Sequence, residues 1–416
     1  MLQRLTADEV AARTARPFDS ETLSDARRLV EAVQTNGETK VREQAECFGE
    51  IKPNEPLVAD RKAFFSALET LDSEARGVLE RTAERIRSFA EAQRDCLDDL
   101  DTPIPGGRAG HTISALDVAG CYAPGGRYPL PSSVLMTVIP ARVAGVEKVI
   151  LATPSRDPIM YAAAAVADAD MLLRVGGAHA IAAMAYGVGV PACDIIVGPG
   201  NRWVTAAKYI VSSTCSIDML AGPSELVVIA DETANSDKIV ADLLAQSEHD
   251  VDAVPGLVAT SPGLVDRVCA EIDLHLTDLK TSEVARTSLA LNGWACVVDS
   301  MEQAVLVSDA AAPEHVAVFC KDAPLVASKL RHAGAVFIGE DTAEVFGDYG
   351  AGPNHTLPTG RTARFRGGLS VLDFLRVRTW LHLDGAGNEE AVEDAVSLGR
   401  MEGLEAHARS AALRRR

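Results

Sequence analysis

Between about residue 148 and residue 339, short runs of β-branched residues alternate with Ala-rich segments. The runs are KVILATP, MLLRVGG, CDIIVGPG and ELVVIAD, followed by GLVATS, ACVVDS, HVAVF and GAVFIG. Such runs predict buried strands, and the segments between them predict helices. Strands that alternate with helices pair in parallel. We therefore expect an α/β fold with two incomplete Rossmann-like, doubly wound parallel sheets.

The two ends of the chain have a different pattern. Thr6 with Glu9 predicts a capping box, and charged segments of helical period continue to about Asp101. Beyond about residue 340 the strand pattern stops, so an α-helical N-terminal region and a helical C-terminal tail are expected. The expected division is a helical arm at 1–13, a first α/β domain at 14–121 with 225–369, a second Rossmann-like domain at 122–224 and the tail at 370–416.

Charge and cysteine usage limit the class of protein. The 59 Asp and Glu residues outnumber the 40 Lys and Arg residues, for a net charge of −19. This charge disfavours electrostatic binding to nucleic acid or to an anionic membrane. The eight cysteines are scattered without a CxxC pair, and no apolar run has the length of a membrane span. We expect a cytoplasmic protein with a small-molecule substrate and no nucleic-acid or membrane partner.

Two of the predicted strands end in Gly-rich turns that lead into helices. Gly176-Gly177 ends one, and Gly198-Pro199-Gly200-Asn201 ends the next. At the carboxyl ends of parallel strands, such turns can present backbone N–H groups to a phosphate or pyrophosphate. Neither turn has the spacing G-x-G-x-x-G, and a tight turn without a ligand is the alternative.

Two further segments place paired polar side chains at the ends of predicted elements. Gln246 and His249 lie at i and i+3 near the end of an amphipathic helix, where both could reach one metal ion. A solvated helix face is the alternative. Glu314 and His315 are adjacent where a helix gives way to a strand, so one could accept a proton while the other orients it or activates water. An acidic turn before an ordinary strand is the alternative there.

The C-terminal third offers four more candidates. The loop at 347–355 is rich in glycine and carries Asp348 and His355, so its backbone can bend closely around a ligand. Glu402 and His407 follow on a predicted helical segment. The spacing alone does not bring these segments together.

Eight stretches of the chain together resemble one known family. They are GCYAPGGRYPLPSSVLMTVIPARVAGV, VGGAHAIAAMAYG, VGPGNRWV, IDMLAGPSELVVIAD, LLAQSEH, APEH, GDYGAGPNHTLPT and EGLEAHARSAALR. On these motifs the chain resembles the histidinol dehydrogenases over nearly its whole length. The resemblance implies NAD-dependent, four-electron oxidation of L-histidinol through L-histidinal to L-histidine. It also implies one Zn²⁺ per subunit and a homodimer with shared active sites.

The resemblance implies a role for each candidate residue. The implied catalytic pair is Glu314, which activates water, and His315, which takes the alcohol proton. The implied zinc ligands are Gln246, His249, Asp348 and His407, the last reaching across the dimer. The implied substrate contacts are Ser224, Gln246, His249, His315, Asp348, His355, Glu402 and His407. The implied NAD contacts are Tyr122, His179 and Asn201.

The chain departs from the family pattern in a few places. His179 stands where the family has a glutamine, so the paired donor and acceptor of an amide are replaced by an imidazole. The stretch at 364–380 and the letters RYPL after the glycine pair also differ. The alternative hypothesis is therefore a paralogous zinc- and NAD-dependent dehydrogenase of another primary alcohol, such as a sulfonated diol.

Arginines that face the pocket would favour the paralogue hypothesis, the candidates being Arg127, Arg376 and Arg378. A surface position for each is the simpler interpretation. A non-catalytic binding protein of the same fold would have lost Glu314, His315 or a zinc ligand, and none is lost.

Overall fold

A computed structural model describes residues 2–13, 17–125, 128–385 and 387–415. Its α-helices are α1 (Ala7–Ala12), α2 (Ser20–Asn36), α3 (Glu38–Cys47), α4 (Arg61–Thr70), α5 (Ser73–Arg94), α6 (Pro131–Ala144), α7 (Pro158–Ala167), α8 (Gly177–Tyr186), α9 (Arg202–Val211), α10 (Ser236–Ser247), α11 (Pro262–His275), α12 (Ser282–Leu291), α13 (Met301–Ala311), α14 (Ala323–Ala327), α15 (Val345–Asp348), α16 (Glu389–Met401) and α17 (Glu405–Ala412). Its strands are β1 (Gln3–Arg4), β2 (Val58–Ala59), β3 (Leu100–Ile104), β4 (Gly107–Ala115), β5 (Val118–Tyr122), β6 (Lys148–Ala152), β7 (Met171–Leu173), β8 (Ile195–Val197), β9 (Ser216–Ile217), β10 (Glu225–Ala230), β11 (Val254–Ala259), β12 (Trp294–Val297), β13 (His315–Phe319), β14 (Ala335–Ile338) and β15 (Leu375–Leu383).

The first sheet has the order β1-β12-β11-β10-β13-β14, and every pair in it is parallel. Successive residues of β10 pack on opposite faces: Val228 joins the cluster beneath α10 to α12, and Ile229 the cluster beneath α13. A sheet covered on both faces needs strands that are apolar throughout, as the run ELVVIA is. The direction of winding reverses between β10 and β13.

The second sheet has the order β2-β7-β6-β5-β8-β9, in which only the β2 edge pairs antiparallel. Here the winding reverses between β5 and β8. The α/β class with two doubly wound sheets, expected from the alternation, is confirmed.

Helices α2 to α5 belong with the second sheet, whereas α1 packs on α13 beside the first. Helices α4 and α5 pack on α7 and α6, and α2 packs on α8 and α9. Strand β5, at 118–122, lies at the centre of that sheet. Strand β5 therefore crosses the expected boundary between 121 and 122, and helices of the expected 14–121 group pack with the second sheet; the division into domains stays a prediction. The amphipathic pattern of these helices defines a buried face but does not specify which sheet covers it. The capping box of Thr6 and Glu9 is present at α1.

A third, antiparallel sheet has the order β15-β4-β3. The segment 370–416 is expected to be helical, but after a short 3-10 turn at Val371–Phe374 it forms the nine-residue strand β15 before α16 and α17. Leu375, Val377, Leu381 and Leu383 alternate along β15 with Arg376, Arg378 and His382. This two-residue period is typical of a strand, and it explains the difference.

Phe374 joins the third sheet to the second. It is fully buried among core residues of α5 and α6, whereas Phe365 is 80% exposed. We expect Phe374→Ala to lower the free energy of unfolding by about 3–5 kcal/mol, because it leaves a cavity in a packed core. The matched Phe365→Ala change should alter it by no more than about 0.5 kcal/mol. Urea unfolding followed by far-UV circular dichroism measures both, and equal effects would contradict this packing.

Candidate active site

Glu314 and Ser224 meet at the amino ends of the two central strands of the first sheet. Ser224 immediately precedes β10 and Glu314 immediately precedes β13, and these strands are neighbours. The Ser224 hydroxyl donates to Glu314 Oε2 at 2.5 Å, and the Glu225 backbone N–H donates to the same oxygen at 2.9 Å. The parallel register thus fixes the position of the Glu314 carboxyl group.

Burial controls the charge of Glu314. Its residue is 7% exposed, and this burial raises the pKa of Glu314 to about 8. The bonds from Ser224 and Glu225 oppose this rise, because hydrogen-bond donors favour the carboxylate. A carboxyl group that titrates near neutral pH can exchange protons with a substrate or with water.

His315 is oriented by the backbone of β10. Its Nδ1 lies 3.0 Å from the carbonyl oxygen of Glu225, and since a carbonyl only accepts, Nδ1 carries the proton. Its Nε2 is therefore the basic nitrogen, and it lies 3.6 Å from a carboxylate oxygen of Glu344. The ring is 3% exposed and packs beside Phe337. His315 can accept a proton at Nε2, and Glu344 can stabilise the imidazolium that results.

His249, Glu344 and Asp348 form a cluster with the composition of a metal site. Their ligand atoms all lie within 4.8 Å of one another. The ion pair with Asp348, at 3.6 Å, raises the pKa of His249. Burial is the largest single influence and raises the pKa of Asp348, but His249, His355 and His315 together outweigh it, so the pKa of Asp348 is lowered. Burial raises the pKa of Glu344 to about 7.

Three side chains in this region present buried polar atoms without a hydrogen-bond partner. Gln246, in the last turn of α10, is fully buried and leaves both Oε1 and Nε2 unpaired. Both carboxylate oxygens of Glu344 and Nε2 of His355 are also unpaired. Burial lowers the pKa of His355, so its ring is neutral. Unpaired buried polar atoms are costly, and a bound ion or ligand would satisfy them.

The loop that carries Asp348 and His355 is held from outside the first sheet. Arg85 of α5 donates to the carbonyl oxygen of Gly350 at 2.6 Å, and Asn354 donates to the Met136 carbonyl at 2.6 Å. The second sheet's helices therefore fix the position of this loop.

The Gly-rich turns lie at the carboxyl ends of the second sheet, where its winding reverses between β5 and β8. Tyr122 ends β5, and its hydroxyl accepts a bond from Gly177 N–H at the start of α8. Gly198 follows β8 with a φ of 116°, and a Cβ there would lie 2.1 Å from the Tyr122 carbonyl oxygen. Asn201 caps α9 through its Oδ1, which leaves its amide N–H groups for a ligand. Nucleotides bind at such reversal points.

His179, in the first turn of α8, has an acidic partner. Its Nε2 lies 2.8 Å from Oε2 of Glu50, and Phe48 stacks on its ring. The residue is 1% exposed, and its Nδ1 has no hydrogen-bond partner. The imidazole therefore faces the turn with one free nitrogen.

One cavity has walls from both the first and the second sheet's segments. Its volume is about 850 Å³, and its walls include Gly200 and Asn201 of the second sheet and Ser224 of the first. Asp250 and Asp252 also line it. The cavity therefore extends from the turn at Gly200 to Ser224, the residue that hydrogen-bonds Glu314.

The structure does not bring the tail residues to this cavity. Glu402 ends α16 and His407 lies on α17, so they occupy two helices and not the single helical segment expected. Both are exposed, and within the described ranges no side-chain hydrogen bond joins either to the cluster. Arg376 and Arg378 are exposed on β15, and Arg127 lies outside the described residues.

The chain matches the family model described as histidinol dehydrogenase over residues 13–415. It belongs to the histidinol dehydrogenase family. Histidinol dehydrogenase of Thermus thermophilus is 43% identical over 98% of this chain and 99% of its own length. That of Bacillus subtilis is 40% identical over 94% of this chain and 92% of its own length. The crystal structure of histidinol dehydrogenase from Elizabethkingia anophelis matches with a TM-score of 0.93 at 28% identity, covering 99% of this chain and 98% of that one.

These matches confirm the resemblance found in the motifs, and they make the protein an enzyme of the oxidoreductase class. They favour histidinol dehydrogenase over a paralogue for another alcohol. A helix that crosses a membrane needs about 20 mostly apolar residues, and none of the described helices meets this requirement.

Glu344 is the residue of the site that the sequence analysis missed. It lies one residue before α15 and is 1% exposed. The residues just before Glu344 form a turn. No spacing pattern in the sequence links Glu344 to His249 or His315. The signal available was an acidic residue four positions before Asp348, which places both on one side of a helical turn.

The raised pKa of Glu314 makes stability depend on pH. Between about pH 4.5 and pH 8 the folded protein keeps the Glu314 proton that the unfolded chain has released, so stability falls as pH rises. Glu314→Gln cannot ionise, and we expect it to reduce this slope by on the order of 1 kcal/mol per pH unit in the metal-free protein. Glu225 contributes to the pH dependence of stability that remains, because burial raises the pKa of Glu225 to about 8 as well.

Thermal unfolding in EDTA at several pH values measures this slope. Glu69→Gln, on the exposed end of α4, is the control and should follow the parent protein. An unchanged slope in Glu314→Gln would contradict the burial argument.

Proposed function

We propose that the protein is a histidinol dehydrogenase that carries out the last step of histidine biosynthesis in the cytoplasm. It would oxidise L-histidinol through L-histidinal to L-histidine with two NAD⁺. One observation carries the proposal: the buried acid Glu314 is hydrogen-bonded to Ser224, and Ser224 lines a cavity that extends to the Gly-rich turn at Gly200 and Asn201. Asp250 and Asp252 make the cavity suitable for a cationic amino alcohol.

A zinc ion fits the polar cluster. Gln246, His249 and Asp348 would hold it, together with His407 of the partner subunit. The unpaired amide of buried Gln246 and the closeness of His249 to Asp348 support this set, because oxygen and nitrogen donors suit Zn²⁺. When bound, zinc would supply a Lewis acid that fixes the nitrogen atoms of the amino alcohol.

NAD fits the second sheet. Tyr122, His179 and Asn201 would contact it at the reversal point, where the free amide of Asn201 and the free Nδ1 of His179 offer hydrogen bonds. When bound, NAD⁺ would supply the hydride acceptor.

The side chains of this chain then move the protons. Nε2 of His315 takes the hydroxyl proton as the carbinol carbon loses hydride and becomes an aldehyde. The Glu314 carboxylate takes a proton from the water that adds to the aldehyde carbon. A second hydride leaves that carbon, and the carboxylic acid that results releases its proton to solvent and becomes the carboxylate product. Ser224 holds Glu314 in place for this step. His355 of this chain would contact the substrate, as would Glu402 of the partner subunit.

A homodimer would complete the site. His407 and Glu402 are exposed on helices that pack mainly on each other. Val377 and Leu381 leave an apolar face on the third sheet, at 63% and 65% exposure, and Met401 is 82% exposed. Apolar faces of this kind favour association with a second copy.

The proposal is tested by NADH formation with the zinc-loaded protein. L-histidinol should give two NADH for each molecule consumed, at a rate far above other primary alcohols and sulfonated diols. Activity on a sulfonated diol without activity on histidinol would overturn the substrate assignment.

Gln246→Leu tests the zinc site. The side chains are similar in volume, and the change removes a buried amide that has no partner, so we expect the metal-free protein to be no less stable. Zinc bound after dialysis against a weak chelator should fall at least tenfold, as measured by plasma mass spectrometry. Gln303→Leu, on the exposed side of α13, should keep the parent zinc content. Full zinc in Gln246→Leu would remove this residue from the ligand set.

Glu314→Gln tests the division of labour in the catalytic pair. Only aldehyde oxidation needs activated water, so this step should slow about 10²-fold or more while alcohol oxidation changes much less. Equal loss in both steps, measured separately with histidinol and histidinal, would contradict the role of Glu314.

A further inference from the structure

Lys208 and Asp218 form an ion pair deep inside the second sheet's domain. Lys208 is 1% exposed on α9, and Asp218 is 0% exposed just after β9. Lys208 Nζ bonds directly to Asp218 Oδ1. The pair lies outside the proposed catalytic and metal-binding residues.

The pair holds the backbone of Gly198 at both of its polar atoms. Asp218 Oδ2 accepts from Gly198 N–H at 2.7 Å, and Lys208 Nζ donates to the Gly198 carbonyl at 3.0 Å. Asp218 Oδ1 also accepts from Met219 N–H at 2.6 Å. Gly198 is the residue whose φ of 116° starts the nucleotide turn.

Asp218 also lies at the start of the segment that connects β9 to the catalytic residues. Asp218 begins the segment that leads through Ala221 to Ser224, the residue that hydrogen-bonds Glu314. Thr205, one turn before Lys208 on α9, donates from its hydroxyl to the Ala221 carbonyl at 2.9 Å. Helix α9 therefore bonds both to the turn at Gly198 and to the segment at 218–224, which we call the crossing segment.

Stability does not explain a buried ion pair of this kind. Removing two charges from water costs about as much as their attraction returns, so apolar residues of similar volume often replace such pairs without loss of stability. Besides bonding each other, Lys208 and Asp218 direct their hydrogen bonds to Gly198 and Met219. The pair therefore fixes the position of the turn at Gly198 relative to the segment that follows Asp218.

We propose that Lys208 and Asp218 are positioning residues that align the NAD turn at 198–201 with the segment at 218–224. The pair sets the place of the nicotinamide relative to Ser224 and Glu314 without touching either reactant. This inference rests on the proposed function, since it assumes that NAD binds at the turn.

The test is the double variant Lys208→Met/Asp218→Asn in the zinc-loaded full chain. We expect the protein to fold and keep its zinc, the KM for NAD to rise at least tenfold, kcat to fall, and the KM for histidinol to change less than twofold. A NADH titration followed by tryptophan fluorescence should show the same weakening, because Trp203 lies beside Asn201.

The matched control removes another ion pair of the same domain. Arg142 and Asp170 are 2.5 Å apart at the amino end of the second sheet, away from the turn, where Asp170 also accepts from Val149 N–H. Arg142→Met/Asp170→Asn should leave the KM for NAD unchanged. A parent-like KM for NAD in the first double variant, or an equal rise in the control, would overturn the proposal.

A milder variant provides a test in case the double variant folds poorly. Thr205→Val removes only the bond to Ala221 and should raise the KM for NAD by a few fold, whereas no rise would count against the proposal. If the parent binds NADH but does not oxidise histidinol, the substrate assignment fails, and the NADH titrations still test the pair. If the parent does not bind NADH, both proposals fail together.

Discussion

The position of the Glu314 carboxyl group depends on the register between two parallel strands. Leu226 of β10 lies beside His315 of β13, and this pairing brings the Ser224 hydroxyl and the Glu225 N–H to one oxygen of Glu314. The same register brings the Glu225 carbonyl to Nδ1 of His315 and leaves Nε2 free to act as a base. The backbone of one strand therefore sets both the acid and the base on its neighbour.

The two sheets contribute to the proposed site with opposite ends. The second sheet uses the carboxyl ends of β5 and β8, where helix N-termini and glycines suit a dinucleotide. The first sheet uses the amino ends of β10 and β13, where the polar residues that precede each strand are held by its neighbour. A hydride donor and a hydride acceptor can meet only if these ends face each other. The crossing segment from Asp218 to Ser224 is the covalent link between them.

Much of this arrangement follows from the sequence. The run HVAVF predicts β13 at its observed bounds, and the helix at 301–310 places Glu314 and His315 between the two elements. The partner of each side chain does not follow, because it depends on packing between distant segments. Glu344 was missed for this reason, and the Glu50 partner of His179 lies 129 residues away in the chain. Strand β15 shows a two-residue period, but its partner β4 lies far away in the chain, so the pattern alone does not show that it pairs.

The central claim is that Gln246, His249 and Asp348 form one zinc site beside Glu314. X-ray diffraction at the zinc absorption edge, on crystals of the zinc-loaded protein, tests this directly. We expect one anomalous peak per chain at about 2.0–2.2 Å from donor atoms of these three residues, with His407 of the partner subunit as a further ligand. A peak away from Gln246, or one bound only by surface carboxylates, would contradict it.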